Sequence, residues 1–379
     1  MLLKKVFHGI INGINYHIKY KLNYGMKPTY LIYQITQRCN GKCIMCNIWD
    51  KEFKKEVEIN DISKAFSDRL FDNLKWIVLT GGEPFLRNDL VEIIKILNKL
   101  PHLKWITINT NGFLTKKIIS NVKDILKILR ADITLSLTVS VHGIGMIHNH
   151  ITRTPLAYNK ATNTLKALKK IKNKKFHLQI LSVITKYNSE KLNIIDKEIK
   201  KLCMNVNFIY PTVSKHFENQ KNEEIKFNEK EKISIINFLK STKSNDLAYA
   251  FYLSEVAISL KKNKRDFICL GGYKTMFLNT NGDIFPCQPL AYDNSTFRFG
   301  NFLHNNLNEI WYYPRGNSIR KNLKKCNVCK SCVFSCDIIN NIENQFFQFA
   351  FFLFCHPTLI KNLINKKDMN MLNFIKDKK

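Results

Sequence analysis

The chain has 379 residues, 45% of them hydrophobic, which is enough to bury the core of one large domain and of a smaller one. Its formal charge of +30 at pH 7 is compatible with nucleic acid or an anionic membrane as a partner. The lysines scatter along the chain, however, and no RRM, KH or helix-turn-helix signature accompanies them, so we expect no nucleic-acid partner. Lys, Asn and Ile are all abundant, which indicates that the positive charge reflects an AT-rich genome and not a specific partner.

The N-terminal segment, residues 1–28, is basic and has apolar residues at helical spacing. These residues are Leu3, Phe7, Ile10, Ile14 and Ile18. The segment lacks the long apolar core and small-residue cleavage site of a signal peptide. We interpret it as a helix that caps the domain, and peripheral contact with a membrane surface is the alternative. Eleven cysteines without an export signal favour a reducing cytoplasm and metal binding.

Six segments rich in β-branched and aromatic residues alternate with amphipathic segments. The predicted strands are 29–36, 76–81, 105–110, 133–141, 177–185 and 206–213. The predicted helices lie near 60–72, 88–100, 115–130, 157–172, 189–203 and 228–241. Six βα units in series predict an α/β fold, a partial (β/α)6 TIM-like barrel with a parallel sheet. The chemistry of such folds lies at the carboxyl ends of the strands.

Three cysteines follow the first predicted strand, in the segment CNGKCIMC. Cys39, Cys43 and Cys46 are spaced i, i+4 and i+7. A structural zinc site normally uses four protein ligands, and a redox CxxC pair uses two. Three thiolates suit a four-iron cluster in which one iron is left open to a ligand that is not protein.

The second predicted strand ends in the segment TGGEPFLR. Gly81 and Gly82 allow the backbone to approach a ligand closely, and Glu83 brings a carboxylate acceptor beside them. Alone, this sequence is most simply a tight turn. Together with CxxxCxxC one strand earlier, at the same edge of the sheet, the segment is a specific motif and not only a turn.

The two segments together resemble the radical S-adenosylmethionine (SAM) enzymes, over residues 29–213. The resemblance implies that the three cysteines bind three irons of a [4Fe–4S] cluster and that SAM chelates the open iron through its amino and carboxylate groups. It also implies that the Gly-Gly-Glu segment contacts the methionyl amino group. Family members often have an aromatic residue where this chain has Met45.

Further matches follow the third and fourth predicted strands. The resemblance implies that Asn111, in the segment TNG, faces SAM. The segment SVHGIGMIHNHITR resembles the family pattern SxDG…HxxIR, which makes Ser140 and Arg153 contacts to the SAM ribose or carboxylate. An arginine suits this role because its planar fork pairs with a carboxylate.

Of the three histidines in the same segment, His148 and His150 are not expected to bind a metal. His142 stands where the family more often has Asp. His148 and His150 form a His-x-His pair, which makes a poor metal site without further ligands. We interpret them as structural or solvated.

The C-terminal third is rich in cysteine. Its seven cysteines are Cys269, Cys287, Cys326, Cys329, Cys332, Cys336 and Cys355. Their arrangement, with a Gly-Asp turn before the second and a CxxC-rich run after a long gap, resembles the SPASM domain, which holds two auxiliary [4Fe–4S] clusters. The resemblance implies that the first, second and sixth cysteines bind one cluster and the other four bind the second. The spacer of five residues that is usual within the run is two residues here.

Two further features of the cysteine pattern bear on this interpretation. The segment NTNGDIFPC predicts a short hairpin that turns at Asn281 and Gly282. The one cysteine outside both groups, Cys203, is interpreted as a buried apolar residue. The alternative to auxiliary clusters is an all-thiolate zinc site formed by the cysteines of the 326–336 run.

We therefore predict an enzyme that cleaves SAM reductively and abstracts hydrogen from a peptide or protein side chain, with a flavodoxin or ferredoxin as reductant. A radical SAM enzyme acting on a small metabolite or sugar is the first alternative. A basic zinc protein that binds nucleic acid is the second, and the Gly-Gly-Glu segment argues against it. The expected divisions are an N-terminal helix (1–28), a radical SAM core (29–215), a helical connection (216–265), an auxiliary cluster domain (266–355) and a basic tail (356–379).

Overall fold

The computed structural model describes residues 13–52, 55–203, 205–244, 246–265, 267–292, 295–312, 314–339 and 346–355. The predicted apolar positions Leu3, Phe7 and Ile10 and the tail 356–379 lie outside these ranges. The division of the chain into five segments stays a prediction.

Six parallel strands form the first part of one sheet. They are β1 (Tyr30–Thr36), β2 (Trp76–Gly81), β3 (Trp105–Thr110), β4 (Thr134–Ser140), β5 (Phe176–Val183) and β6 (Val206–Ile209). Each strand pairs in parallel with the next along the chain, as in a partial barrel. The predicted α/β fold is confirmed.

Helices connect the strands and continue after β6. They are α1 (13–21), α2 (Ile59–Phe66), α3 (Leu90–Leu97), α4 (Thr115–Ile128), α5 (Met146–Thr152), α6 (Ala157–Leu168), α7 (Lys186–Ser189), α8 (Leu192–Leu202), α9 (Glu229–Ser241) and α10 (Leu247–Lys262). Their apolar faces, for example Ile118, Val122 and Ile125 of α4, are buried against the sheet. None of the helices in the described ranges is long and apolar enough to cross a membrane.

The two faces of the parallel sheet differ in polarity because side chains alternate along each strand. Residues such as Leu31, Leu79 and Leu135 belong to the core that packs against the helices. The opposite face, which we call the lumen face, is rich in hydroxyl and amide groups. Its residues include Gln34, Thr36, Thr80, Thr107, Asn109, Ser136, Thr138, Gln179 and Asn207. Hydrogen bonds cross between neighbouring strands on this face, including Gln179 Nε2 to Thr138 Oγ1 at 2.7 Å.

The C-terminal part of the chain extends the same sheet. Its elements are β7 (Thr275–Leu278), β8 (Asp283–Phe285), β9 (Gly300–Asn301), α11 (Leu307–Tyr312), α12 (Pro314–Leu323), α13 (Asn327–Lys330), α14 (Ser335–Ile339) and α15 (Phe346–Cys355). Strand β7 is parallel to β1, and β8 and β9 follow in antiparallel order. Gly282, with φ of +88°, lies in the turn between β7 and β8, which confirms the predicted hairpin.

The described part of α1 covers the C-terminal part of the molecule, but through tyrosines instead of the apolar stripe. The Tyr20 ring lies 5.0 Å from the ring of Tyr273, centroid to centroid. Ile14 and Ile18 are 54% and 50% exposed. The described part of the helix is therefore a cap, and Ile14 and Ile18, the two described residues of the predicted apolar stripe, are on its outer face.

The very apolar segment at the C-terminal end of the described chain is helix α15, and one of its sides is docked. The rings of Phe349 and Phe352 lie 5.4 and 5.6 Å from the ring of Phe251 on α10. Phe351 and Phe354 are exposed.

Candidate functional site

The cysteine loop, residues 37–46, is held by backbone hydrogen bonds at the carboxyl edge of the sheet. The amide of Gly82 donates to the Thr36 carbonyl at 2.9 Å, and the amide of Glu83 donates to the Arg38 carbonyl at 2.7 Å. The loop's other side pairs with the last turn of α5, where Ile44 N donates to the Ile151 carbonyl at 2.9 Å. Three separate elements therefore fix the path of the loop.

Burial makes the three thiols reluctant to ionise. It raises the pKa of Cys39 to about 12 and that of Cys46 to about 11, and it raises the pKa of Cys43 above the usual range of a thiol. The amide of Gly41, 3.4 Å from Cys39 Sγ, opposes the shift at Cys39. Buried thiolates are stable only beside a compensating positive charge, which bound iron would supply.

The arrangement of these thiols fits a cluster better than a single ion. Among the described residues, no three His, Cys, Asp or Glu side chains converge on a point that one metal ion could occupy. Thiolates that bind a [4Fe–4S] cluster each contact a different iron, so they surround a larger object. Cys39, Cys43 and Cys46 would hold such a cluster, and these predicted catalytic ligands lie together in one loop.

The two glycines of the Gly-Gly-Glu turn are required by the backbone beside them. A Cβ on Gly81 would collide with the Thr36 carbonyl oxygen, and a Cβ on Gly82 would collide with the carbonyl oxygens of Gln37 and Arg38. We predicted that the backbone of this turn approaches a ligand closely. In the described structure, it closely approaches the start of the cysteine loop. Contact of the same turn with SAM stays a prediction.

Glu83 is fully buried and ties the ends of β2 and β3 together. Its Oε1 accepts from Phe85 N at 3.1 Å and Thr110 Oγ1 at 2.9 Å, and its Oε2 accepts from Asn111 N at 2.7 Å. Burial raises the pKa of this carboxyl to about 7, although the three hydrogen bonds oppose the shift. One of about four acceptor positions on the carboxylate remains for a ligand.

Asn111 contacts the cysteine loop. Its Nδ2 donates to Asn40 Oδ1 at 2.6 Å, and it also lowers the pKa of Cys39 through a side-chain hydrogen bond. Asn40 was not singled out from the sequence, because an asparagine between two cysteines gives no local signal of its partner.

Ser140 and Arg153 lie near the same edge of the molecule. Ser140 is the last residue of β4. Arg153 ends α5 with φ of +48°, is exposed, and lowers the pKa of Cys43 through its charge. The structure thus places Arg153 near Cys43 of the loop and Ser140 at the carboxyl end of β4, and their contacts with SAM stay predictions.

Two arginines that we did not predict fix the base of the loop. Arg38 forms a two-pronged ion pair with Glu56, with both N···O distances 3.0 Å. Arg87, the last residue of TGGEPFLR, donates to the carbonyls of Ile35 and Val57 and pairs with Asp89. Buried donors of this kind hold backbone carbonyls that would otherwise lack partners.

His142 and His148 form a buried structural pair. The amide of His142 donates to His148 Nδ1 at 3.0 Å, and His142 Nδ1 accepts from the amide of Val183 at 3.1 Å. Burial lowers the pKa of His142 to about 4 and that of His148 to about 3. His150 is exposed and packs on Tyr187. These positions agree with the structural or solvated roles predicted for them.

Most of the C-terminal cysteines lie around one cleft. This cleft, which we call the cysteine cleft, has Cys269, Cys287, Cys329 and Cys332 in its wall. Cys326 is buried, and its hydrogen bond is the largest cause of the raised pKa of Cys329. The partition implied by the resemblance separated Cys269 and Cys287 from Cys326 and Cys329, whereas the structure brings all four together.

The structure gives less information about the last two cysteines of the chain. Cys355 is exposed at the end of α15, and the side chain of Cys336 lies outside the described part of the structure. The remaining cysteine, Cys203, is buried, and its Sγ lies 3.3 Å from the Leu178 carbonyl, as expected for a residue of the core.

Comparison with protein families gives two matches that follow this geometry. Residues 33–199 match the radical SAM superfamily model, and residues 269–333 match a SPASM iron–sulfur cluster-binding domain. Curated relatives include a GTP 3′,8-cyclase of Aquifex aeolicus, 29% identical over 187 residues, and one of Petrotoga mobilis, 37% identical over 98 residues. These alignments cover 46% and 25% of this chain, and 54% and 30% of the relatives. The chain thus spans about half or less of the curated relatives that it matches.

Solved structures show the same fold. The structure of anSMEcpe with bound AdoMet and the Kp18Cys peptide has a TM-score of 0.60 and 19% identity, over 89% of this chain and 100% of that one. Streptococcus suis SuiB bound to S-adenosylmethionine has a TM-score of 0.57 and 18% identity, over 85% of this chain and 76% of that one.

A partial barrel with a three-cysteine loop and a cysteine-rich extension defines an enzyme that uses SAM and iron–sulfur clusters. The chain belongs to the radical SAM superfamily and has a C-terminal SPASM domain. Its cofactors are a catalytic [4Fe–4S] cluster, auxiliary iron–sulfur clusters and SAM.

Proposed function

We propose that this enzyme abstracts hydrogen from a peptide or a protein side chain. The observation that carries the proposal is the uncharged lumen face. The six parallel strands contain no Lys, Arg, Asp or Glu at all, in a chain whose net charge is +30. Their polar side chains are mainly amides and hydroxyls, together with two indoles and the imidazole of His177, whose pKa is lowered by burial. Such uncharged groups suit the neutral donors and acceptors of a peptide.

The roles of the chain's own residues follow from the site. The cysteine loop would hold the catalytic cluster, which when bound supplies the electron that cleaves SAM to a 5′-deoxyadenosyl radical. Arg38 and Arg87 fix the start of that loop, and Glu83 aligns β2 with β3 beside it. A flavodoxin or ferredoxin would deliver the electron from outside.

Two similar structures support a peptide substrate, since anSMEcpe and SuiB have been solved with a Kp18Cys peptide and with the precursor peptide SuiA. The second candidate substrate is a small metabolite, because the curated relatives are named GTP 3′,8-cyclases. A nucleoside triphosphate carries several negative charges, which proteins bind with Arg and Lys. The strands of the lumen supply neither.

The test compares both substrates under reducing, anaerobic conditions with SAM. We expect modification of a peptide or protein encoded by a neighbouring gene, detected as a mass change together with 5′-deoxyadenosine. GTP should give no cyclised product. Conversion of GTP with no reaction of the peptide would overturn the proposal.

A variant in the lumen refines this test. Gln179→Leu removes an amide that bonds to Thr138, so KM for the substrate should rise about tenfold, the equivalent of one lost hydrogen bond, while SAM cleavage continues. Asn237→Leu, the same kind of change on the exposed face of α9, is the control. Equal KM values for the two variants would place the substrate outside the lumen.

A further inference from the structure

Arg320, on α12, is a buried cation without a carboxylate partner in the described part of the chain. Its side chain has no exposed surface. Nε donates to the Gly272 carbonyl at 2.7 Å, while Nη2 has no hydrogen-bond partner among the described atoms. The titratable groups that affect it are tyrosines, which are uncharged at neutral pH. Arginine is almost never fully buried unless it is paired, so this position calls for a negative charge that the described residues do not supply.

The surrounding structure accommodates the guanidinium closely. The rings of Tyr273, Phe299 and Trp311 lie 5.7, 5.4 and 4.9 Å from its central carbon, centroid to carbon. A Cβ on Gly25 would collide with the guanidinium, and one on Gly316 would lie 2.9 Å from Nη1. The absence of these two side chains is therefore what leaves room for the cation.

The guanidinium lies directly behind the cysteine cleft. Tyr273, whose ring it contacts, is in the wall of the cleft, and so is Gly271, the neighbour of its hydrogen-bond acceptor. Leu323, almost one turn after Arg320 on α12, is also in the wall. One layer of side chain and backbone separates the cation from the space that the cysteines surround.

Among the described residues of the wall, the negative groups would be the thiols themselves, as thiolates bound to iron. None of its described residues is Asp or Glu, and Arg265 is also part of it. A thiolate-ligated iron–sulfur cluster is an anion, and it gains one more negative charge when it is reduced. A nearby buried cation stabilises the reduced form more than the oxidised form, and low polarity strengthens the effect.

We propose that Arg320 is the buried counter-charge of the auxiliary cluster bound in the cysteine cleft, and that it raises the reduction potential of that cluster. Arg320 acts through the electrostatic field and does not touch the cluster, so it is a positioning residue. The proposal rests on the SPASM domain and is independent of the substrate.

The experiment uses the full chain with Cys39, Cys43 and Cys46 replaced by Ala, reconstituted with iron and sulfide, so that only auxiliary clusters are observed. EPR-monitored redox titration compares Arg320→Met, which removes the charge, with Arg320→Lys, which keeps it. Arg315→Met, on the exposed side of the same helix, is the matched control. Iron and sulfide contents show whether each variant holds its clusters.

We expect Arg320→Met to shift the equilibrium about tenfold toward the oxidised cluster, which lowers the midpoint potential by about 59 mV for one electron. Arg320→Lys and Arg315→Met should keep the original potential. If Arg320→Met loses the cluster while Arg320→Lys keeps it, the charge is needed for assembly, which also supports the proposal. Equal potentials in all variants, or loss of the cluster in both Arg320 variants, would overturn it and leave Arg320 as a structural residue.

Discussion

Gly82 lies against the backbone that leads into the cysteine loop, so its replacement should disturb the catalytic cluster as well as SAM. We expect Gly82→Ala to lose about four irons, because the new Cβ would push the Arg38 carbonyl, one residue before Cys39. Iron and sulfide analysis measures the loss. Gly41→Ala, in the same loop, meets only ordinary contacts at 3.4 Å or more and should keep its iron. Full iron content in Gly82→Ala would show that the turn yields without moving the loop.

The buried histidines should make the protein sensitive to mild acid. His142 has a pKa of about 4 when folded and an ordinary value near 6.5 when unfolded, so only the unfolded chain takes up the proton between these values. The free energy of unfolding should therefore fall as pH drops below 6.5, by about 1.4 kcal/mol per pH unit for each such histidine.

Denaturant unfolding at pH 7.5 and 5.5 tests this dependence. His142→Asn keeps a hydrogen-bond acceptor near Val183 N but cannot titrate, so its stability should depend less on pH. His150→Asn, at an exposed position of the same segment, should behave like the parent protein. An unchanged slope in His142→Asn would mean that this histidine takes up its proton as readily in the folded state as in the unfolded state.

Single side chains differ in how far the sequence predicts their roles. The spacing of Cys39, Cys43 and Cys46 is local, so the sequence displays it. Arg320 has no such signal, because its aromatic neighbours and its two glycine contacts come from separate parts of the chain. The same holds for the pairing of Asn40 with Asn111, which are 71 residues apart.

Helix α1 should stabilise the molecule through its tyrosines. Tyr20 packs on Tyr273, and the ammonium of Lys324 lies 4.8 Å from the Tyr20 ring centroid. We expect Tyr20→Ala to lower the free energy of unfolding by about 1–2 kcal/mol. Because Tyr20 is also in the wall of the cysteine cleft, iron should be released faster in air.

The matched control for α1 is Ile18→Ala, at a position that is 50% exposed. It should change the free energy of unfolding by less than about 0.5 kcal/mol. Urea titrations measure both variants. If Ile18→Ala lowered the free energy of unfolding more than Tyr20→Ala, the apolar stripe would be the packed face of the helix after all.

Whole elements were predicted where their pattern is periodic. The six strands contain runs of β-branched residues, and the hairpin between β7 and β8 contains an Asn-Gly turn. The sequence therefore predicted the strands and the hairpin. Helix α10 lies in the predicted helical connection, but it was not predicted as a separate helix because Tyr249, Phe251 and Tyr252 are buried in almost every direction, which removes the amphipathic period. The parallel pairing of β7 with β1 joins residues more than 240 positions apart and has no signature in either strand.

At the scale of the whole molecule, the two cysteine-rich regions should lose metal independently when ligands are removed. Replacing Cys39, Cys43 and Cys46 with Ala should abolish SAM cleavage and remove about four irons, while the auxiliary clusters remain. Their persistence is expected because the cysteine cleft shares no residue with the loop. Zinc in place of iron in the C-terminal part would instead support the all-thiolate zinc site.

Breaking the sheet between the two regions should have a different result. Met276→Pro places a residue without an N–H in β7, which has β1 on one side and β8 on the other. We expect it to reduce the iron content by more than the triple cysteine variant does, because β1 leads directly into the cysteine loop. An iron loss confined to the auxiliary clusters would show that the barrel folds without its C-terminal neighbour.

The position of β1 in the middle of the sheet has a further consequence. It is hydrogen-bonded to β2 on one side and to β7 on the other, and Tyr292 beyond β8 reaches back to Gln37 with a 3.1 Å hydrogen bond. The catalytic loop and the cysteine cleft thus adjoin strands of one continuous sheet, so we expect their separation to stay fixed while the enzyme works. Electron tunnelling slows steeply with distance. The rate of electron transfer between the catalytic loop and the cysteine cleft would therefore be set by the folded structure, and domain opening and closing would not control it. Only a reacting group small enough for that fixed gap would exchange electrons with both sites.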